Sequence, residues 1–113
     1  MGREFQEYFE CSQIYACEIC RAHLSSHSQL ISKAFSGRDG RAFLFKTVIN
    51  GKLGDPEEQT LLSGLYIIRD LYCKSCDLLI GWKYDKAYTN NQKYKEGKFI
   101  LERYHIVKIE WDK

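Results

Sequence analysis

The chain has 113 residues, 44% hydrophobic and 14% aromatic, which suits one domain with enough apolar side chain for a core. Its 17 basic against 15 acidic residues leave a formal charge of +2, so composition gives no pull toward nucleic acid or an anionic membrane. No run approaches the roughly 20 apolar residues of a membrane-spanning helix, and Met1-Gly2-Arg3-Glu4-Phe5 passes into polar residues, so no secretory signal and a reducing compartment are expected.

Ile14 to Cys17 is the first expected strand and runs into Cys17-x-x-Cys20. Leu30 to Phe35 is the next, closed by the turn residues Ser36-Gly37-Arg38-Asp39-Gly40. Ala42 to Ile49 is apolar on both faces, the pattern of a central strand. Asn50 to Pro56 contains two glycines and the sole proline and reads as a loop leading to Glu57-Glu58. Tyr66 to Tyr72 enters Cys73-x-x-Cys76, and Leu78 to Tyr84 leaves it in alternation. Leu78, Ile80, Trp82 and Tyr84 share one face; Leu79, Gly81 and Lys83 take the other. Tyr88 to Glu96 is polar, a loop or a short helical turn, and Phe99 to Trp111 closes the chain as a strand. The reading is one strand-rich domain over residues 1–113, with hairpins gathered at a metal. Each half carries a cysteine pair followed by a strand-like run, but the flanking residues differ too much for a repeat.

Cys17, Cys20, Cys73 and Cys76 carry the strongest chemistry. Each pair turns two sulfurs toward one point, and four thiolates complete the tetrahedral shell of a structural zinc ion. The 52 intervening residues far exceed the roughly 15 to 20 of a compact finger. The ion is therefore expected to clamp two distant turns of a larger domain. Four thiolates and one divalent cation move the formal +2 to about zero. The competing reading, a redox dithiol, ordinarily opens a helix after a strand, a context this chain lacks. A catalytic zinc needs an open coordination position, which a filled cysteine quartet denies. His23 and His27 are expected at the surface or beside the ligands, and Cys11 reads as a free thiol.

Trp82 and Tyr84 can form an aromatic wall for a small molecule or a modified side chain, or pack as core beside the metal. The stretch Lys93-Tyr94-Lys95-Glu96-Gly97-Lys98-Phe99 interleaves basic and aromatic residues, as a nucleic-acid surface does. Glu96 and Glu102 interrupt it, and a solvated loop is the expected reading. Nucleic-acid contact would draw on Lys93, Lys95, Lys98 and Arg103. No nucleophile elbow, phosphate loop or His-Glu-x-x-His pattern occurs. No enzymatic activity is expected.

Further blocks fit together with the cysteine frame: His23-Leu24, Gly40-Arg41-Ala42-Phe43-Leu44-Phe45, Asp70, Gly81-Trp82-Lys83-Tyr84, and Gln92-Lys93-Tyr94-Lys95-Glu96-Gly97 continuing to Ile100-Leu101-Glu102. From Tyr15 to Glu102 the chain resembles the Yippee family of small eukaryotic zinc-binding proteins. It departs at Ser63-Gly64, where the family usually has Thr-Gly, at Tyr66, where many members carry histidine, and in the loop Gly51 to Thr60.

The resemblance implies a mainly β fold, two antiparallel sheets meeting as a β-tent with one structural zinc at the apex. Similar domains in cereblon, Mis18 centromere proteins, B-type methionine sulfoxide reductases and RIG-I-like receptors differ in function, so the fold does not settle the activity. The reductases need a nucleophilic cysteine after the second pair, and this chain has none there. A cereblon-type cage uses several tryptophans; here Leu62 and Ile68 fall near where two of them would lie. The resemblance further implies a non-enzymatic interaction module of nucleus and cytoplasm with protein partners. An accessory subunit of a GID/CTLH-type ubiquitin ligase, or a regulator of growth and division, fits it. Trp82 and Tyr84, with Tyr66 and Phe43, are the candidate recognition groove. A small ligand or modified peptide is the alternative occupant; nucleic acid and membrane are not expected.

Overall fold

The computed structural model describes residues 13–110, so Cys11 and Trp111 lie outside the described residues. Among these, nine strands run in chain order: β1 (Gln13–Cys17), β2 (His23–Ser26), β3 (Leu30–Gly37), β4 (Gly40–Phe45), β5 (Gly51–Leu61), β6 (Gly64–Cys73), β7 (Leu79–Ala87), β8 (Phe99–Glu102) and β9 (Ile106–Glu110). They form two sheets, of order β2-β1-β9 and β3-β4-β8-β7-β6-β5. Every paired neighbour is antiparallel. The mainly β, two-sheet architecture expected from the sequence is the one observed.

The inner face of the six-stranded sheet carries Phe43, Phe45, Leu71, Ile80 and Leu101, packed on Tyr15, Leu24 and Ile106 of the smaller sheet. Alternate residues of the same strands point the other way. Ala42, Leu44, Tyr66, Ile68, Trp82, Tyr84, Ala87 and Ile100 make a second apolar cluster on the outer face. Between these layers β7 and β8 approach so closely that a Cβ on Gly81 would lie 1.8 Å from the Ile100 carbonyl oxygen. Only glycine fits at that crossing.

Four local expectations need correction. The run Ala42 to Ile49 is strand only to Phe45. Lys46 to Asn50 instead ties the sheets together, with the Lys46 and Ile49 N–H groups donating to the Gln29 and Leu24 carbonyls, both at 2.8 Å. Of the expected loop Asn50 to Pro56, all but Asn50 is the start of β5, an edge strand. Edge position explains how it tolerates Pro56, beside a register shift, and why its charged residues Lys52, Asp55, Glu57 and Glu58 suit it. The expected strand Phe99 to Trp111 is split by a 3-10 turn, Arg103–His105, which carries the chain from one sheet to the other. Finally, the alternation of Leu78 to Tyr84 breaks at a bulge. Tyr72 pairs with Leu79 and Leu71 with Gly81, leaving Ile80 as the extra residue. Ile80 therefore faces the inner core while Trp82 and Tyr84 face outward.

Candidate metal centre and aromatic cleft

Both cysteine pairs sit in knuckles of the same construction. The Arg21 N–H donates to the Cys17 carbonyl at 2.9 Å, and the Asp77 N–H to the Cys73 carbonyl at 2.8 Å. In the reverse direction the Cys17 N–H donates to Ala22 at 2.9 Å and the Cys73 N–H to Leu78 at 2.8 Å. Arg21 and Asp77, each directly after the second cysteine, adopt left-handed φ of 67° and 65°. The echo between the halves, weak in side chains, is close in the backbone.

The knuckles face each other, so that the Cys17 and Cys76 sulfurs stand 3.6 Å apart and those of Cys20 and Cys73 3.4 Å apart. All four sulfurs lie within 4.8 Å of one another. A tetrahedron with Zn–S bonds of about 2.3 Å has edges near 3.8 Å, whereas a disulfide needs about 2.05 Å. The four cysteines are free thiols at metal-binding, not disulfide, separations. Burial pushes the Cys73 thiol far above its ordinary value, and the neighbouring Cys20 and Cys17 add to the shift. Gathering these sulfurs as thiolates needs a compensating cation, and the donor set fits zinc. His23 is not at the surface; it is buried in β2, and burial lowers its pKa. His27 is exposed. A second donor cluster, Asp39, Glu102 and His105, is engaged internally. Glu102 accepts the Asp39 N–H at 3.1 Å and pairs with Arg38 at 3.6 Å, and His105 lies 3.3 Å from Asp39.

On the outer face of the large sheet lies a cleft of about 690 Å³. Ile68, Trp82 and Tyr84 floor it; β3 from Ser32 to Gly37, with Arg38 after it, forms one wall, and the β5–β6 tip with Leu61, Leu62 and Ser63 the other. The Trp82 and Tyr84 rings meet edge to face, centroids 6.2 Å apart. Burial pushes the Tyr84 hydroxyl up to about 12. The buried Trp82 Nε1–H has no hydrogen-bond acceptor among the described residues. Arg38 covers the indole at 5.3 Å and pairs with Asp70 at 2.7 Å.

Of the four expected groove residues, the structure brings together three. Trp82 and Tyr84 line the cleft, and Tyr66 backs it, its ring centroid 4.9 Å from that of Tyr84. Phe43 is on the opposite face. It packs with Tyr15 at 6.1 Å and borders a separate small pocket with Lys33, Arg103 and Lys108. The reason is parity: in β4 the odd residues Phe43 and Phe45 turn inward, so Leu44 takes the cleft side.

The polar stretch Tyr88 to Glu96, expected as a loop or a short helical turn, supplies two more cleft residues, Tyr94 and Lys95. Its Asn90–Lys95 portion is a 3-10 turn held to β7. The Gly97 N–H donates to Tyr84 at 2.8 Å, the Tyr84 N–H to Lys98 at 3.0 Å, and the Ala87 N–H to the Glu96 carboxylate at 2.9 Å. Burial is the outcome for Lys95, 4% exposed and part of the cleft lining. The basic–aromatic interleaving was its signal in the sequence, but nothing local showed which cation turned inward.

Residues 13–113 match the family described as Yippee zinc-binding/DNA-binding and Mis18, centromere assembly. The chain belongs to the Yippee family. It is 49% identical over 113 residues to Protein yippee-like 3 of Danio rerio, covering 98% of this chain and 95% of that one. Against Protein yippee-like 3 of Homo sapiens it is 47% identical over 112 residues, covering 97% and 94%. Among solved structures, the Mis18 'Yippee-like' domain superposes with a TM-score of 0.70 at 13% identity, over 90% of this chain and 99% of that one. At that identity the likeness speaks for the fold. In this Yippee chain the blocks that carried the family resemblance flank the two sites. Asp70 anchors Arg38 over Trp82, and Gly81 lets β8 close on the strand that bears Trp82.

Proposed function

We propose that this Yippee-family chain is a non-enzymatic interaction module, held in shape by one structural zinc on Cys17, Cys20, Cys73 and Cys76, whose outer cleft receives part of a partner protein. The observation that carries this reading is the cleft itself. It is a roomy concavity, about 690 Å³, with an aromatic floor on a sheet face whose counterpart packs on the smaller sheet. Family resemblance supports work in nucleus and cytoplasm, as an accessory subunit of a GID/CTLH-type ubiquitin ligase or a regulator of growth and division. Affinity purification from native cells with the wild-type chain and with Trp82→Ala, followed by mass spectrometry, tests it. Partners lost with Trp82→Ala but kept with Arg41→Ala support the cleft; an unchanged partner set removes it from the reading.

A small-ligand or modified-peptide reader is the second reading, favoured by the same aromatic floor. A nucleic-acid role has less support. Three of its four expected cations are engaged internally: Lys93 donates to the Ala87 carbonyl at 2.7 Å and lies 3.5 Å from Glu96, Lys95 is buried, and Arg103 donates to the Ile106 carbonyl at 3.3 Å. Retention on single- or double-stranded DNA or RNA at low salt, where phosphate contacts are strongest, would restore it.

A further inference from the structure

The aromatic cleft already holds a cation, and it is the protein's own. The Lys95 ammonium lies 5.1 Å from the ring centroids of Phe35 and Tyr66, 5.4 Å from Tyr84 and 5.9 Å from Tyr94. It donates to the Ser63 hydroxyl at 3.1 Å and the Tyr66 hydroxyl at 2.9 Å. Among the described residues no carboxylate pairs with it. The cleft lining contains no aspartate or glutamate at all. Its other cation, Arg38, is neutralised by Asp70 and Glu102.

A buried ammonium without a counter-charge is costly, and aromatic faces with two neutral hydroxyls offset only part of that cost. An ammonium also has three N–H donors, and two of them are used. What the cleft lacks is therefore an acceptor carrying negative charge. We infer that the cleft selects a carboxylate-bearing ligand with a flat apolar body, the carboxylate meeting Lys95 and the flat body lying on Trp82 and Tyr84. A second cation, such as a methylated lysine, is disfavoured because it would meet the resident ammonium in the same ring cage. This inference rests on the cleft being a binding site, and it chooses between occupants of it.

Three probes share one indole body and differ in charge: indole-3-acetate, indole-3-acetamide and tryptamine. Each is titrated to millimolar concentration into the zinc-loaded full chain, with binding followed by shifts of the Trp82 indole and Lys95 side-chain NMR signals. The expected order is acetate over acetamide over tryptamine. About tenfold or more should separate the first from the last, as a desolvated charge pair allows, and the gap should narrow with salt. Lys95→Met should erase the preference, and Lys95→Arg should keep it; the wild-type order stands by itself if either variant misfolds. Tryptamine or acetamide binding as tightly as acetate overturns the inference while leaving the cleft a binding site. Binding of indole-3-acetate but not of a peptide that ends in a free aromatic C-terminal residue assigns the site to small molecules. The reverse result assigns it to chain ends, and both outcomes support the inference. No perturbation by any of the three overturns both the inference and the cleft reading.

Discussion

The two faces of the six-stranded sheet are built from the same strands and are used in opposite ways. Phe43 on the inner face is 6% exposed and Trp82 on the outer face 5%, so accessibility alone does not tell them apart. The difference is in what covers them. Phe43 and its neighbours meet a second sheet, whereas Trp82 meets one arginine and an open concavity. A buried aromatic is cohesive when its far side is protein, and receptive when its far side is a cleft.

The largest effect should come from the clamp that holds both faces in register. Structural zinc sites of this kind supply about 10–16 kcal/mol of apparent binding energy, while whole domains are stable by about 5–15 kcal/mol. Chelation, or Cys73→Ser, is expected to unfold the chain, read by loss of the far-ultraviolet β signal together with release of one zinc per chain. A folded protein free of zinc would break this account. Next, Phe45→Ala on the inner face should cost roughly 3–5 kcal/mol in urea unfolding, as for other buried aromatics. Trp82→Ala should cost clearly less, about 1–3 kcal/mol, because part of its surroundings is already empty. Equal costs would mean that the cleft is closed in solution and that the two faces are equivalent.

A smaller effect is expected in alkali. The Tyr84 hydroxyl is raised to about 12 in the folded chain against about 10 when unfolded. Its contribution is complete below pH 10 and is lost as pH rises toward 12, because the unfolded state ionises first. The loss amounts to roughly 2–3 kcal/mol at most, since each pH interval of one contributes about 1.4 kcal/mol. Tyr84→Phe should flatten that slope in urea titrations between pH 10 and 12; an unchanged slope would place the hydroxyl in contact with water. The smallest effect is expected of Asp70→Ala. Asp70 and Arg38 are 32% and 42% exposed, and pairs of that kind are worth about 0–1 kcal/mol. Its midpoint in urea should barely move, since Arg38 keeps Glu102, whereas indole fluorescence should shift as the guanidinium loosens over Trp82.

The cysteine quartet and most strands were legible because they are local: two spaced pairs, and runs of alternating apolar residues. What escaped the sequence depends on distant partners. Ile80 changes face because of a bulge set by β6, and nothing between Leu78 and Tyr84 reveals it. β5 resembled a loop because Gly51, Gly54 and Pro56 are poor strand residues, yet an edge strand needs only one partner. Phe43 cannot be sorted from the groove residues by sequence, because its strand parity relative to Trp82 depends on the register of β8 between them. Lys95 is the cleft residue least legible in the sequence. A lysine flanked by charge is ordinarily solvated, and only the three-dimensional gathering of Phe35, Tyr66, Tyr84 and Tyr94 makes its burial tolerable.

The matched knuckles have a consequence for how such a chain is made. Cys17 and Cys20 leave the ribosome with their hairpin partner β2 close behind, well before Cys73 and Cys76 emerge. During that interval the nascent chain exposes a two-cysteine half-site, a weak ligand for zinc and open to oxidants. Metal supply and thiol redox state would then act on the yield of folded protein during synthesis, more than on the finished molecule.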